Sequence, residues 1–328
     1  MRPTQSDVHV NRPLSNLLIA YFQDEKNFIA SRVFPEIPVQ YKTDSYYKWT
    51  RDDFHRVEVA ERAPATPSEG GSFTLATDTY SAKEYAIHKD IPDAVAANAD
   101  SELHLDEAAS RYIGHQLLLK RESVWTNTFF TTGVWTGSST GSDLTGVAGS
   151  PGAGQFKQWD QTNSDPINDI GAQMIAMAES TGKRPNKLVL GPRTWQKLQN
   201  HPDIIDRIKY TQKGVVSLEL LAGLLGLDEV MVPYATRNTA AMGATASFSF
   251  FAGKAALLLY SSPSPSIMEP SAGLTFAWTG RFGAGASGGR VKRFRMEEIE
   301  SWRIEGQMAF AQKVVCSDLG VYFTAAVA

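Results

Sequence analysis

An α+β fold is what this sequence predicts, and three observations predict it. Long alternations of apolar and polar side chains open and close the chain, and one helical stretch of roughly thirty residues lies between them. From about residue 166 onward, short helices and short apolar strands follow one another. The 328 residues can bury a sizeable core and divide into two domains. A net charge of −3 gives no global pull toward nucleic acid, so any such binding has to come from a local patch. Cys316 is the one cysteine, which excludes a disulfide framework or a cysteine-rich zinc site within one chain and points to a reducing compartment. The opening apolar run of about six residues is too short for a secretory core or a membrane span. Cytoplasmic assembly without a membrane is therefore expected.

The elements follow in chain order. After Pro13, the residues Leu14, Leu17, Leu18, Tyr21 and Phe22 recur at helical spacing and predict a short amphipathic helix over Leu14–Phe28. The stretch PEIPVQYKTDSYYKW then alternates as a long extended arm, with Ile37, Val39, Tyr41, Thr43, Tyr47 and Trp49 on one side and Gln40, Lys42, Asp44, Tyr46 and Lys48 on the other. Alternation continues in FHRVEVAER, breaks at the turn-rich Ala63–Gly71, and returns in SFTLATDTYSAKEYAIHKD, where Phe73, Leu75, Tyr85 and Ile87 share a face. Two such runs around a Pro/Gly/Ser turn read as one long β-hairpin.

A helix is expected over Asp100–Phe130, capped by Ser101 or Asp100, with Leu105, Ala109, Tyr112, Leu117 and Val124 as its apolar stripe. Thr131–Pro166, rich in Gly, Ser, Thr and Asp, reads as an irregular surface excursion. DPINDIGAQMIAMAESTGK is a helix with an Asp-Pro start and a Gly stop. NKLVLG and DEVMVPYA are strands, and PRTWQKLQN, PDIIDRIKY and SLELLAGLLGL are helical pieces, together an α/β layer. FSFFAG, AALLLY and LTFAWTG are further strands. The closing alternation places Trp302, Ile304, Met308, Phe310, Val314 and Cys316 on one face.

No catalytic constellation emerges from the residues. GAGASGG, Gly283–Gly289, contains GxGxxG, but RVKRFRMEEIESW follows it without the apolar stripe of the helix that a dinucleotide site needs. An α/β enzyme using the Gly283 loop is the least favoured reading. TGKRPNK around Lys183 lacks the upstream glycine and the following Ser/Thr of a phosphate loop. Cys316 sits on an apolar strand face as a small hydrophobe. The six histidines show no metal-ligand spacing, so neither a metal nor a cofactor is expected. RVKRFR, Arg290–Arg295, is followed at once by EEIE, which favours ion pairing over phosphate binding.

What remains is a chain with more extended structure than a lone globule needs. Its element order, with NLLIAYFQDEKNFIASRVFPEIPVQYKTDSYYKW and NKLVLGPRTWQKLQNHPDII as the most telling stretches, resembles the major capsid proteins of tailed double-stranded DNA bacteriophages and their Hong Kong 97-like fold. The resemblance covers essentially the whole chain. It implies an N-terminal arm over residues 1–49, an extended loop over 50–92 that lies on a neighbouring subunit, and a peripheral domain with the spine helix over 93–165. It further implies an axial domain over 166–289 and a return to the peripheral domain over 290–328. The function implied is a non-enzymatic shell protein whose pentamers and hexamers enclose the genome. Portal, scaffolding and decoration proteins, and packaged DNA held without sequence specificity, are the expected partners. A long charged helical segment before the arm is missing, so the fused scaffold of some relatives is expected to have been removed or replaced by a separate protein. Tyr47, Trp49, Phe73, Leu75, Tyr85 and Ile87 are the expected intersubunit contacts. An encapsulin-like nanocompartment shell, similar in fold, is the alternative.

Overall fold

The computed structural model of the chain describes residues 23–49, 53, 55–62, 64–68, 70–98, 104–208, 216–266, 269–282 and 289–328. The helix expected over Leu14–Phe28 falls mostly outside them, as does most of the Gly283–Gly289 loop. The described part of the arm carries a 3-10 turn (Glu25–Asn27), a one-turn helix α1 (Ala30–Val33) and strand β1 (Glu36–Val39). Ile29, Val33 and Phe34 are buried, Phe34 edge-on to the rings of Trp125 and Trp135. Ile37 and Val39 are buried as their alternation requires. The chain then bends at residues 40–42 and resumes as β2 (Thr43–Trp49). This corrects the expected single extended arm: Tyr46, assigned to the polar side, is 4% exposed, and Tyr47 is 60% exposed. Val39 and Tyr46 both face inward at an odd separation, which an unbroken period of two cannot accommodate.

The partner of β2 is β3 (Leu75–Ser81), antiparallel, with Tyr47 opposite Thr77. The expected pairing of FHRVEVAER with the later run is therefore corrected; the described residues 55–62 form no strand. Beyond Ala82, β4 (Lys83–Pro92) leaves the ribbon and pairs along ten residues of the closing strand. The hairpin read over residues 50–92 thus ends at Ser81. Its continuation belongs to the body, where a central strand satisfies the backbone groups that an isolated ribbon leaves open.

After α2 (Asp93–Ala97), the long helix α3 spans Leu105–Phe129, 25 residues and about 37 Å. Asp100 and Ser101 lie outside the described residues, and the N-cap is His104, which makes no side-chain cap bond. Ala109 and Ile113 pack with Ile91 and Ile304. Tyr112, expected in this stripe, is 42% exposed, because the row 109, 113, 117 at intervals of four faces the sheet. Gly306 makes this approach possible: a Cβ there would lie 2.2 Å from Cγ2 of Ile113.

Residues 131–165 correct another expectation. Rather than an irregular excursion, they supply β5 (Leu144–Val147) and β6 (Gln155–Lys157) to a sheet, and two wholly buried indoles. Trp135 Nε1 donates to the Phe129 carbonyl at 2.8 Å and Trp159 Nε1 to Asp169 Oδ2 at 3.1 Å, so each ring is buried with its polar atom satisfied. Helix α4 (Pro166–Thr181) has the expected Asp165 cap, which accepts from the Asn168 amide, and ends at Gly182 in the left-handed region (φ 68°). Next come β7 (Lys187–Leu190), α5 (Pro192–Gln199), α6 (Pro202–Ile208), α7 (Leu218–Leu225) and β8 (Glu229–Met231), in the order the sequence predicts, with β8 ending four residues short of the end of DEVMVPYA at Ala235. Strands β9 (Thr236–Asn238) and β10 (Phe248–Phe250) form a small surface ribbon. The chain finishes with β11 (Ala256–Leu259), β12 (Gly273–Trp278), α8 (Thr279–Phe282), β13 (Gly289–Met296), β14 (Ser301–Val314) and β15 (Gly320–Thr324).

Two sheets organise these elements. One runs β1-β12-β14-β13, with β4 also on β14; the other runs β6-β5-β15-β11-β7-β8. In the six-stranded sheet, Leu188, Leu190, Leu258 and Phe323 face α4, α5 and α7, while Val189, Leu257, Leu259 and Tyr322 face Trp125 and Phe129 at the end of α3. Burial on both faces explains why these strands read as unbroken apolar runs.

Candidate assembly surface

The β2–β3 ribbon is buried at one end and open at the other. At its base, Tyr80 stacks on Phe276 with centroids 4.5 Å apart and Tyr46 packs on the same ring at 5.4 Å. The Tyr46 hydroxyl donates to Asp78 Oδ2 at 3.0 Å, and Lys313 Nζ reaches the other oxygen of that carboxylate at 3.4 Å. Burial, then the hydrogen bond to Asp78, pushes the Tyr46 phenol well up, so it stays a neutral donor. Outward from this base, Tyr47 is 60%, Phe73 62% and Leu75 44% exposed, and Val57 and Val59 in the intervening loop are almost wholly exposed. Asp53 Oδ2 closes the neck of the loop, accepting both the amide and the hydroxyl of Thr74 at 2.6 Å. These bonds hold the Asp53 carboxyl below its ordinary range.

The six expected contact residues therefore separate. Tyr47, Phe73 and Leu75 lie on the exposed part of the ribbon; the side chain of Trp49 is outside the described residues. Tyr85 and Ile87 lie on β4, half-buried against their own subunit. The Tyr85 ring packs at 5.2 Å from Phe310, and Ile87 borders the Ile91–Ile113 cluster. Sequence reasoning missed Tyr46 and Tyr80 as anchors and Val57 and Val59 as exposed apolar residues. The doublet Tyr46-Tyr47 carried the usable signal: of two adjacent strand residues, one faces in and one out.

The other candidates resolve into structural roles. In RVKRFR, Arg295 forks onto both oxygens of Asp93 at 2.6 Å, Arg293 meets Asp106 at 3.2 Å and Lys292 meets Glu305 at 3.4 Å. Ion pairing holds this segment to its own subunit. Cys316 is half-buried at the edge of the apolar clusters. One arrangement not legible in sequence is Ser164, His201 and Asp203, with Ser164 Oγ 3.0 Å from His201 Nε2. The Asp203 amide donates to Nδ1 at 3.3 Å, which leaves the proton on Nε2 and the serine as its acceptor. The serine hydroxyl donates to the Gln161 carbonyl at 2.8 Å. A nucleophilic serine needs the opposite tautomer.

No family model matches the chain. It is 26% identical over 322 residues to the major capsid protein of Pseudomonas phage JBD67, covering 97% of each chain. It is also 26% identical over 234 residues to that of Burkholderia phage BcepMu, covering 68% of each. Among solved structures it is similar to a phage-related protein of Bordetella bronchiseptica, with a TM-score of 0.69, 22% identity and 97% of each chain covered. The capsid structure of cyanophage P-SCSP1u matches with a TM-score of 0.56 at 10% identity, over 89% of this chain and 86% of that one. The resemblance to phage major capsid proteins that the element order suggested is thus borne out, in sequence over nearly the whole chain and in fold.

Proposed function

We propose that this chain is a phage major capsid protein whose copies assemble into the closed shell around a double-stranded DNA genome, in the virion and without turnover of any substrate. The observation that carries the mechanism is the β2–β3 ribbon, with its aromatic base fixed in the subunit and its apolar outer part exposed. A two-stranded ribbon is marginal in water, and clustered exposed apolar side chains mark an interaction surface. A surface that seats on a different patch of the next copy generates rings, which suits pentamers and hexamers. Tyr47, Phe73 and Leu75, with Val57 and Val59, are assigned to the intersubunit contact. The arm (residues 1–49), the peripheral part around α3 and the axial part from residue 166 keep the family roles. Strands β5 and β6 join the sheet of the axial part. Assembly takes place in the host cytoplasm with portal and scaffolding proteins. Packaged DNA is contacted weakly and without sequence preference, since duplex affinity follows the number of phosphates neutralised and three of the four RVKRFR cations, Lys292, Arg293 and Arg295, are engaged by carboxylates. The test is expression of the full chain with and without a co-expressed scaffold, followed by sedimentation. Fast-sedimenting closed particles are expected; a compact monomer at high concentration under both conditions would sink the proposal.

A further inference from the structure

Glu122 lies on α3 with its side chain wholly buried beneath the arm. Its Oε2 accepts the amides of Ile29 and Ala30, both at 3.0 Å. These amides open α1, where a helix has no donors satisfied internally. At the other end of α1, Lys187 Nζ on β7 donates to the Arg32 carbonyl. Two ion pairs flank the segment, Arg32 with Glu229 and Glu36 with Arg121. Glu122 differs from these carboxylates in having no cation bonded to it: its other oxygen, Oε1, is buried without a hydrogen-bond partner among the described residues. An ionised carboxylate in that position is costly, whereas a neutral carboxyl still accepts both amides through its carbonyl oxygen.

We propose that Glu122 is a proton-operated latch on the arm, holding Ile29 and Ala30 against α3 when neutral and favouring their release when ionised. The segment it holds leads through β1 into β2, so the latch acts on the path of the ribbon. That consequence rests on the shell reading above; the latch itself does not.

The sign follows from linkage. Burial pushes the docked carboxyl up to about 7, against the opposing pull of the two amide bonds. A detached, solvated carboxyl returns to about 4.3. The docked arm therefore binds the proton more tightly. Docking is most favoured below the detached value and is lost as pH rises to about 7, by up to about tenfold in the docked-to-detached ratio per pH unit. The other groups facing the arm can be separated from this effect. His115 on α3, edge-on to Phe28 at 5.8 Å and accepting from the Gln23 amide, is pushed down by burial, so its protonation disfavours docking at low pH, the opposite sign. Lys187 is lowered by burial and by the Arg32 charge, so its protonation, like that of His115, disfavours docking, again the opposite sign to Glu122. Tyr322 on β15, raised by burial, stays neutral, and Tyr260 and Cys316 border the same apolar cluster. Arg121, Glu36, Arg32 and Glu229 are the paired charges already named.

The experiment is hydrogen exchange of the Ile29 and Ala30 amides in the full-length unassembled subunit from pH 5 to 8, corrected for intrinsic rates. The Leu258 amide serves as a foldedness control. The latch predicts protection that falls on the order of tenfold per pH unit toward 7 while Leu258 stays flat. In Glu122→Gln, which is neutral and keeps a carbonyl acceptor, protection should be high and independent of pH. In Glu122→Leu, which removes the acceptor, it should be low throughout. A flat wild-type profile, or a Gln variant that retains the wild-type slope and so assigns the pH dependence to another group, overturns the latch. Should the variants not fold, the ¹³C titration of the Glu122 carboxyl in the wild-type chain decides: a midpoint near 7 supports the proposal and one at the ordinary carboxyl value overturns it. None of these readings requires a shell to form, so failure of the latch and failure of the shell reading are distinguishable.

Discussion

Strand β11 and the β2–β3 ribbon are both extended chain, yet their side chains meet opposite conditions. All four side chains of β11 are buried, shared between two clusters on the two faces of the six-stranded sheet. In the ribbon only Tyr46 and Tyr80 are buried among the described large side chains, while Tyr47, Phe73 and Leu75 face outward. Apolar burial contributes about 25 cal/mol per Å². The subunit's stability therefore resides in the sheets, while the outer ribbon leaves apolar side chains exposed, the surface that the proposed assembly would bury.

The contrast is broken most severely from the sheet side. Phe323 is fully buried with its centroid 5.4 Å from both Phe156 and Trp159, so Phe323→Ala should cost about 3–5 kcal/mol in chemical denaturation. A loss below about 1 kcal/mol would mean that the sheet does not carry the stability. At the ribbon base, Phe276→Ala removes the ring on which Tyr46 and Tyr80 pack. About 3 kcal/mol is expected, at the low end because the ribbon strands can settle into the space. The smallest effect on folding belongs to the exposed positions: Tyr47→Ser or Phe73→Ser should change stability by no more than about 0.5 kcal/mol. Each should nevertheless raise the concentration needed for assembly by about tenfold, equivalent to ~1.4 kcal/mol of lost contact. Light scattering against concentration reads this, and an unchanged assembly threshold would remove these residues from the interface.

Where sequence and structure agree, local signals were strong and complete. Asp165, Pro166 and Gly182 announced both ends of α4, and KLVL and ALLL announced strands buried on two faces. The failures share a cause, which is contact between residues far apart in sequence. Nothing local in LTGV or QFK signals membership of a sheet whose other strands lie at residues 187–324. In the same way, the register that pairs Tyr47 with Thr77 across a long loop is fixed where Phe276, distant in sequence from both strands, receives Tyr46 and Tyr80. Nothing in the sequence singles out Glu122, and only the fold brings the Ile29 and Ala30 amides to it. The exposure of Tyr47, Phe73 and Leu75 was legible in the alternation of their runs. Tyr85 and Ile87 continue the same alternation but lie on β4, which pairs with β14 beyond the end of the ribbon at Ser81.

The central claim is that the outer ribbon joins copies without holding the subunit together. Because Tyr80 anchors the base, the informative variant leaves it in place: residues 56–72 are replaced by a short Gly-containing turn and Tyr47, Phe73 and Leu75 by Ser, with Asp53 and Thr74 kept to close the neck. Thermal unfolding and sedimentation of this chain beside the full-length one test the claim directly. The account predicts an unfolding midpoint within a few degrees of the parent, with closed particles from the full chain and none from the shortened one. Intact shells from the shortened chain, or its global unfolding, would contradict it.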